Sequence, residues 1–108
     1  MTTFDDRERG FEKRFALDQE QEFKAGARRN RALGEWAAGL MGLTQTEAES
    51  YAKDVIRADF EEAGEEDVIR KLLGDLTAAG VDIDEASIRD ALGHKMVDAR
   101  RQLIEARQ

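Results

Sequence analysis

The chain has 108 residues, contains neither Cys nor Pro, and 38% of its residues are charged. This length and composition predict one helical domain and exclude a disulfide framework and thiol chemistry. The net charge of −7 is unevenly placed: residues 1–31 have a net charge of +1, whereas residues 32–108 carry nine Lys and Arg against seventeen Asp and Glu, a net charge of −8. Because such an acidic body repels phosphate backbones, nucleic-acid binding is not expected.

The amino terminus does not resemble a secretory signal, because Asp5 and Asp6 precede any apolar run. No stretch approaches the ~18 consecutive apolar residues of a membrane span. We therefore expect a cytoplasmic protein without membrane insertion.

Residues 1–16 follow a helical pattern with little apolar surface. At ~100° per residue, Phe4, Phe11 and Phe15 fall within about 40° of one another, with charged residues between them. Gly10 costs about 1 kcal/mol relative to Ala inside a helix. This segment is predicted to be a mobile arm that becomes helical when it docks. The alternative is that the arm folds back and the three Phe complete the bundle core.

The helical pattern continues through residues 17–42 and becomes apolar only in its second half. Arg28, Arg29 and Arg31 are interpreted as a solvated helix face, with contact to an acidic partner surface as the alternative. The apolar stripe that follows is predicted to pack in the core, with Trp36 as an anchor, and comprises Leu33, Trp36, Ala37 and Leu40. Gly42 is a natural helix stop.

Three shorter helices are predicted at about residues 45–63, 65–79 and 84–106. Thr44 and Glu47 fit a capping box, and Asp84 fits a cap preceded by an apolar Ile83. The linkers are short, so consecutive helices should be antiparallel or sharply crossed neighbours. The expected fold is all-α: a four-helix bundle, residues 17–108, with a long first helix whose N-terminal part is mobile.

The sequence contains no catalytic constellation. His94 is the one histidine, and Ser50 and Ser87 have no base at a recognisable spacing. The acidic run in residues 59–67 lacks the order of a calcium loop. We therefore expect no enzyme activity, no metal site and no cofactor.

The blocks "ARRN", "WAAGLMG" and "ADFEEAGEEDV", read with the amino-terminal "MTTFDDRERGFEKRFALD", carry a family resemblance. Over its full length the chain resembles the zeta subunit family of alpha-proteobacterial F-type ATP synthase inhibitors. The resemblance implies a four-helix bundle whose mobile N-terminal segment enters a catalytic alpha/beta interface of the ATP synthase head and blocks ATP hydrolysis.

The resemblance also implies the partners and the location of this chain. The partners would be the alpha, beta and gamma subunits of the head, which places the protein peripherally at the inner membrane. Carried over to this sequence, the inhibitory segment is residues 1–16. Its contact candidates are the aromatic and charged side chains Phe4, Arg7, Glu8, Arg9, Phe11, Lys13, Arg14 and Phe15. The alternative function is a small helical ligand- or nucleotide-binding module with weak or no inhibitory activity.

Overall fold

A computed structural model of the chain describes residues 18–59 and 65–106. These ranges contain four α-helices and no strand, in the order α1 (Gln19–Leu40), α2 (Gln45–Ala58), α3 (Glu66–Ala78) and α4 (Glu85–Ala106). The predicted all-α four-helix bundle is confirmed. The predicted arm, residues 1–16, lies outside the described residues, as does the end of the second predicted helix at residue 63.

Side-chain caps fix where the helices begin. Thr44 and Glu47 form the predicted capping box, with the Thr44 hydroxyl accepting from the Glu47 amide at 3.2 Å and the Glu47 carboxylate accepting from the Thr44 amide at 2.9 Å. The hydrogen bond from the Thr44 amide lowers the pKa of Glu47. Asp84 accepts from the Ser87 amide at 2.8 Å and caps the last helix, as predicted. Gly42, with φ of 73°, adopts the left-handed conformation that ends α1.

The bundle is centred on α1, which packs mainly against α2 and α4, while α3 contacts all three other helices. Helices α1 and α4 are antiparallel, since Leu33 belongs to one core cluster with Leu92, and Ala25 belongs to a second with Leu103. The buried residues of the larger cluster are Leu33, Ala37, Val55, Val68, Ile69, Leu72, Leu76, Ile88 and Leu92.

The predicted apolar stripe of α1 is only partly buried. Leu33 and Ala37 are fully buried, and Trp36 packs against the core as a partly buried side chain. Leu40 was predicted in the same stripe but is 45% exposed. It is the last residue of α1, where the neighbouring helices no longer cover the face that it shares with Leu33.

Helices α1 and α2 cross in close contact at Gly34. A Cβ atom added there would lie 2.8 Å from the Cα of Ala52 and 3.2 Å from a methyl carbon of Val55. Real Cβ atoms do not approach a backbone carbon that closely, so only a residue without a side chain lets the two helices meet. This contact fixes the separation of α1 and α2.

The part of the chain that the structure describes contains neither a membrane-spanning helix nor a candidate metal site. None of its helices combines the length and apolar character needed to cross a membrane. Within residues 18–59 and 65–106, no group of three or more His, Cys, Asp or Glu side chains could hold a metal ion.

Candidate protein-binding surface

The eight predicted contact residues all precede the described part of the chain. Phe4, Arg7, Glu8, Arg9, Phe11, Lys13, Arg14 and Phe15 therefore stay predictions, as does the arm that they define. The structure does describe the site where this segment joins the bundle.

Helix α1 begins at a capping box that was not predicted from the sequence. The Asp18 carboxylate accepts from the Gln21 amide at 2.8 Å, and the Gln21 side chain accepts in return from the Asp18 amide at 3.4 Å. Asp18 has an extended backbone, with φ of −72° and ψ of 175°, so the helical path of α1 does not continue back through it. The Asp-x-x-Gln spacing in the sequence could have predicted this capping box, because Asp is as effective an N-cap residue as Ser or Thr.

Two contacts between side chains fasten the start of α1 to the end of α4. The guanidinium of Arg100 donates to both carboxylate oxygens of Glu22, with distances from 3.1 to 3.4 Å. On α1, Arg28 donates to the side-chain oxygen of Gln102 at 3.3 Å. The first half of α1 is therefore held by residues that are 74 and 78 positions away in the sequence.

The interpretation of a fully solvated Arg28, Arg29 and Arg31 face is wrong for Arg29, which is only 6% exposed. Its Nε donates to the Asn30 side-chain oxygen at 3.0 Å, and its terminal nitrogens lie 3.5 Å from Asp59 and 3.9 Å from Glu65. Arg29 precedes the buried Leu33 by four residues and therefore faces inward with it. It connects α1 to the end of α2 and the start of α3.

An Arg29→Met variant is expected to lower the free energy of unfolding by about 1–3 kcal/mol, because hydrogen bonds to charged groups contribute on that scale. Met keeps most of the apolar stem in place, and the partly exposed Asp59 and Glu65 regain water. Urea denaturation measures the change. The matched control is Arg31→Met, two residues away and exposed, which pairs with Glu35 on the same helix. Because exposed pairs of this spacing contribute little, this variant should stay within about 0.5 kcal/mol of the unaltered protein. Equal effects at the two positions would contradict the assigned role of Arg29.

A second polar group joins α2 to α3. The Tyr51 hydroxyl donates to Asp75 at 2.7 Å, and the Lys71 ammonium lies 3.0 Å from the same carboxylate and 5.2 Å from the centre of the Tyr51 ring. Burial raises the pKa of Tyr51, and the bonded Asp75 carboxylate raises it further. This arrangement keeps Tyr51 a neutral donor and serves helix packing.

A groove with a volume of about 430 Å³ lies between α2 and α3. Arg57, Arg70 and Lys71 contribute positive charge to its lining. Each of these cations already has an aspartate partner, namely Asp54 at 3.9 Å, Asp67 at 3.2 Å and Asp75 at 3.0 Å. The groove is therefore close to electrically balanced, which disfavours a polyanionic ligand.

His94 is exposed on α4.

Three comparisons with known proteins bear on the family of this chain. A protein whose structure was solved by NMR in solution is 46% identical, with a TM-score of 0.69, over 79% of this chain and 96% of the other. A comparison with curated proteins finds no match. The family model described as ATPase inhibitor subunit zeta matches residues 1–102, so its span includes both the bundle and the segment that precedes it. The chain belongs to the ATPase inhibitor subunit zeta family.

Proposed function

We propose that this chain inhibits ATP hydrolysis by the F-type ATP synthase through its N-terminal arm, residues 1–16, which folds into a catalytic alpha/beta interface of the head. The observation that carries the proposal is the family match, which begins at residue 1 and therefore includes the arm. In this mechanism Phe4, Phe11 and Phe15 enter apolar pockets, and the charged side chains between them pair with groups of the alpha, beta and gamma subunits.

Binding of the arm is coupled to its folding. Ordering the backbone costs about 1–2 kcal/mol per residue, whereas burial of each Phe contributes about 1.5–3 kcal/mol. For sixteen residues, the free-energy cost of ordering the backbone exceeds the stabilisation gained by burying three Phe side chains. Backbone hydrogen bonds, charge pairing and wider burial in the interface supply the remainder. The bundle acts as the folded anchor from which the arm extends, and it associates with the inner membrane only through the ATP synthase.

The test compares ATP hydrolysis by the cognate head in the presence of the intact chain and of a form lacking residues 2–15. Inhibition by the intact chain alone is the expected result. Thermal unfolding of both forms controls for loss of the bundle. Equal inhibition by the two forms would move the inhibitory site to the bundle, and no inhibition by either, with an active head, would overturn the proposed function.

The second candidate function is nucleotide binding, and the observation that favours it is the groove between α2 and α3 with Arg57, Arg70 and Lys71 in its lining. The aspartate partners of these cations weigh against it. Titration with ATP or ADP separates the candidates, since saturable amide shifts confined to this groove would support a nucleotide-binding module.

A further inference from the structure

A groove opens beside α1, where α1, α2 and α4 meet the start of α3. Its volume is about 260 Å³. Because a cavity of about 150 Å³ already holds a benzene ring, the groove has room for one large apolar side chain. Its apolar lining residues come from α1, α2 and α4 and are Phe23, Gly26, Ala27, Ile56 and Met96. We call this site the α1 groove.

Gly26 keeps the α1 groove open. No atom lies within 4 Å of a Cβ added at this position, so the space above Gly26 is accessible. The backbone does not require Gly here, because Gly26 does not have a positive φ and Gly is a poor helix former. Phe23 on the same helix is 60% exposed. Accessible aromatic side chains beside a concave apolar surface are typical of binding sites.

The α1 groove also holds one more negative charge than its ion pairs compensate. Glu22 on its rim pairs with Arg100 at 3.1 Å. Arg29 lies 3.5 Å from Asp59 and 3.9 Å from Glu65, so one guanidinium serves two carboxylates. The Glu65 side chain is the more distant of the two and is 55% exposed. Glu65 can therefore accept a further cation at the mouth of the groove.

These features define the chemistry of an occupant. The apolar walls favour an aliphatic or aromatic side chain, and the Glu65 carboxylate favours a Lys or Arg next to it. A phosphate group would meet the surplus negative charge and is disfavoured. The groove begins at Glu22, about one helical turn after Asp18, so it lies close to the point where residues 1–16 precede α1.

We infer that the α1 groove receives a segment of the head that lies beside the interface for the arm and presents an apolar side chain next to a Lys or Arg. This inference rests on the proposed function, because the arm brings the groove to the head. The apolar side chain fills the space above Gly26, and the cation pairs with Glu65. Because the arm tethers the bundle, this second contact is intramolecular and strengthens binding even when it is weak by itself.

A Gly26→Leu variant tests the inference by filling the groove. Leu enters α1 without a clash, and its side chain takes the space of the occupant. With the intact cognate head, the concentration needed for half-maximal inhibition is expected to rise at least about tenfold, the equivalent of one large apolar side chain left unburied. The matched control is Gly39→Leu, which is equally open on the same helix but lies outside the groove. It should change this concentration by less than about twofold.

A Glu65→Gln variant tests the surplus charge. It keeps the shape of the side chain and leaves Asp59 to pair with Arg29. The concentration needed for half-maximal inhibition is expected to rise about two- to fivefold, because exposed ion pairs contribute little, and the rise should shrink as salt is added. The control is Glu49→Gln, which removes an exposed carboxylate of α2 outside the groove and should have no effect.

The outcomes separate this inference from the proposed function. Equal inhibition by Gly26→Leu and Gly39→Leu would overturn the inference while leaving the inhibitory role in place. Stronger inhibition by Gly26→Leu alone would assign the groove to the chain's own arm, and a dimer in sedimentation that this variant abolishes would assign it to a second copy. Either result would overturn the inference.

Thermal unfolding of both Leu variants completes the test. Similar midpoints are expected, since neither side chain meets resistance. A lower midpoint for Gly26→Leu alone would show that the chain itself already fills the groove, which would overturn the inference. If the unaltered chain did not inhibit the head at all, the proposed function would be overturned, and this inference with it.

Discussion

Replacing Phe4, Phe11 and Phe15 together with Ala is expected to raise the concentration needed for half-maximal inhibition of ATP hydrolysis by at least ~100-fold. Each buried Phe contributes about 1.5–3 kcal/mol, and three at the lower value already exceed the ~2.8 kcal/mol that corresponds to a hundredfold change. The measurement is a titration of the cognate head with the variant and with the unaltered chain.

Gly10→Ala is the matched control within the same arm. The substitution leaves the three Phe and every charge in place. It stabilises the helical conformation of the arm by about 1 kcal/mol, because Ala is a better helix former than Gly. Inhibition should therefore strengthen by up to about fivefold. If both variants weakened inhibition equally, helix formation by the arm would be excluded as part of the mechanism.

Thermal unfolding of the triple Phe variant tests the alternative in which the arm folds back on the bundle. If the three side chains bind the head, the unfolding midpoint should not change. A lower midpoint would place the three Phe in the bundle core, because truncation of a buried Phe typically costs about 3–5 kcal/mol.

A Gly34→Ala variant is expected to be less stable by about 1–3 kcal/mol, even though Ala is the better helix former. The new Cβ would lie 2.8 Å from the Cα of Ala52, which is backbone and cannot rotate away. Helix α1 would have to move from α2 and loosen the core on both sides of the crossing. The unfolding midpoint should fall by roughly 4–8 °C per kcal/mol for a domain of this size.

The control for this variant is Gly26→Ala on the same helix. No atom lies within 4 Å of a Cβ added at Gly26, so the substitution meets no steric resistance. It should stabilise the protein by up to about 1 kcal/mol through helix propensity. Opposite signs at the two positions would confirm that packing decides the effect at Gly34, whereas stabilisation at both would contradict the described crossing.

The helices and most of their boundaries could be predicted from the sequence because their signals are local. The Thr44–Glu47 capping box and the Asp84 cap each involve residues three positions apart, and both have the predicted hydrogen bonds. The Asp18–Gln21 box is equally local and was missed because the helical pattern continues on both sides of it. The cap places the start of α1 at Gln19, whereas the hydrophobic periodicity indicated a start at residue 17.

Burial of individual side chains was harder to predict, because it depends on which helices meet. Arg29 was assigned to a solvated face, yet Asp59 and Glu65 come close enough in the fold to compensate its charge. Leu40 has the spacing of a core residue but extends beyond the helices that would cover it. Neither outcome follows from the residues adjacent in sequence.

The all-helical class, the Thr44 and Asp84 caps and the family could all be predicted from the sequence, because hydrogen bonding within a helix and the matching sequence blocks are properties of contiguous residues. The contact at Gly34 and the burial of Arg29 depend on the tertiary structure. Each of these requires groups from two or more helices to meet. The antiparallel packing of α1 on α4, for example, brings the Glu22 carboxylate within 3.1 Å of the Arg100 guanidinium, 78 positions away in the chain.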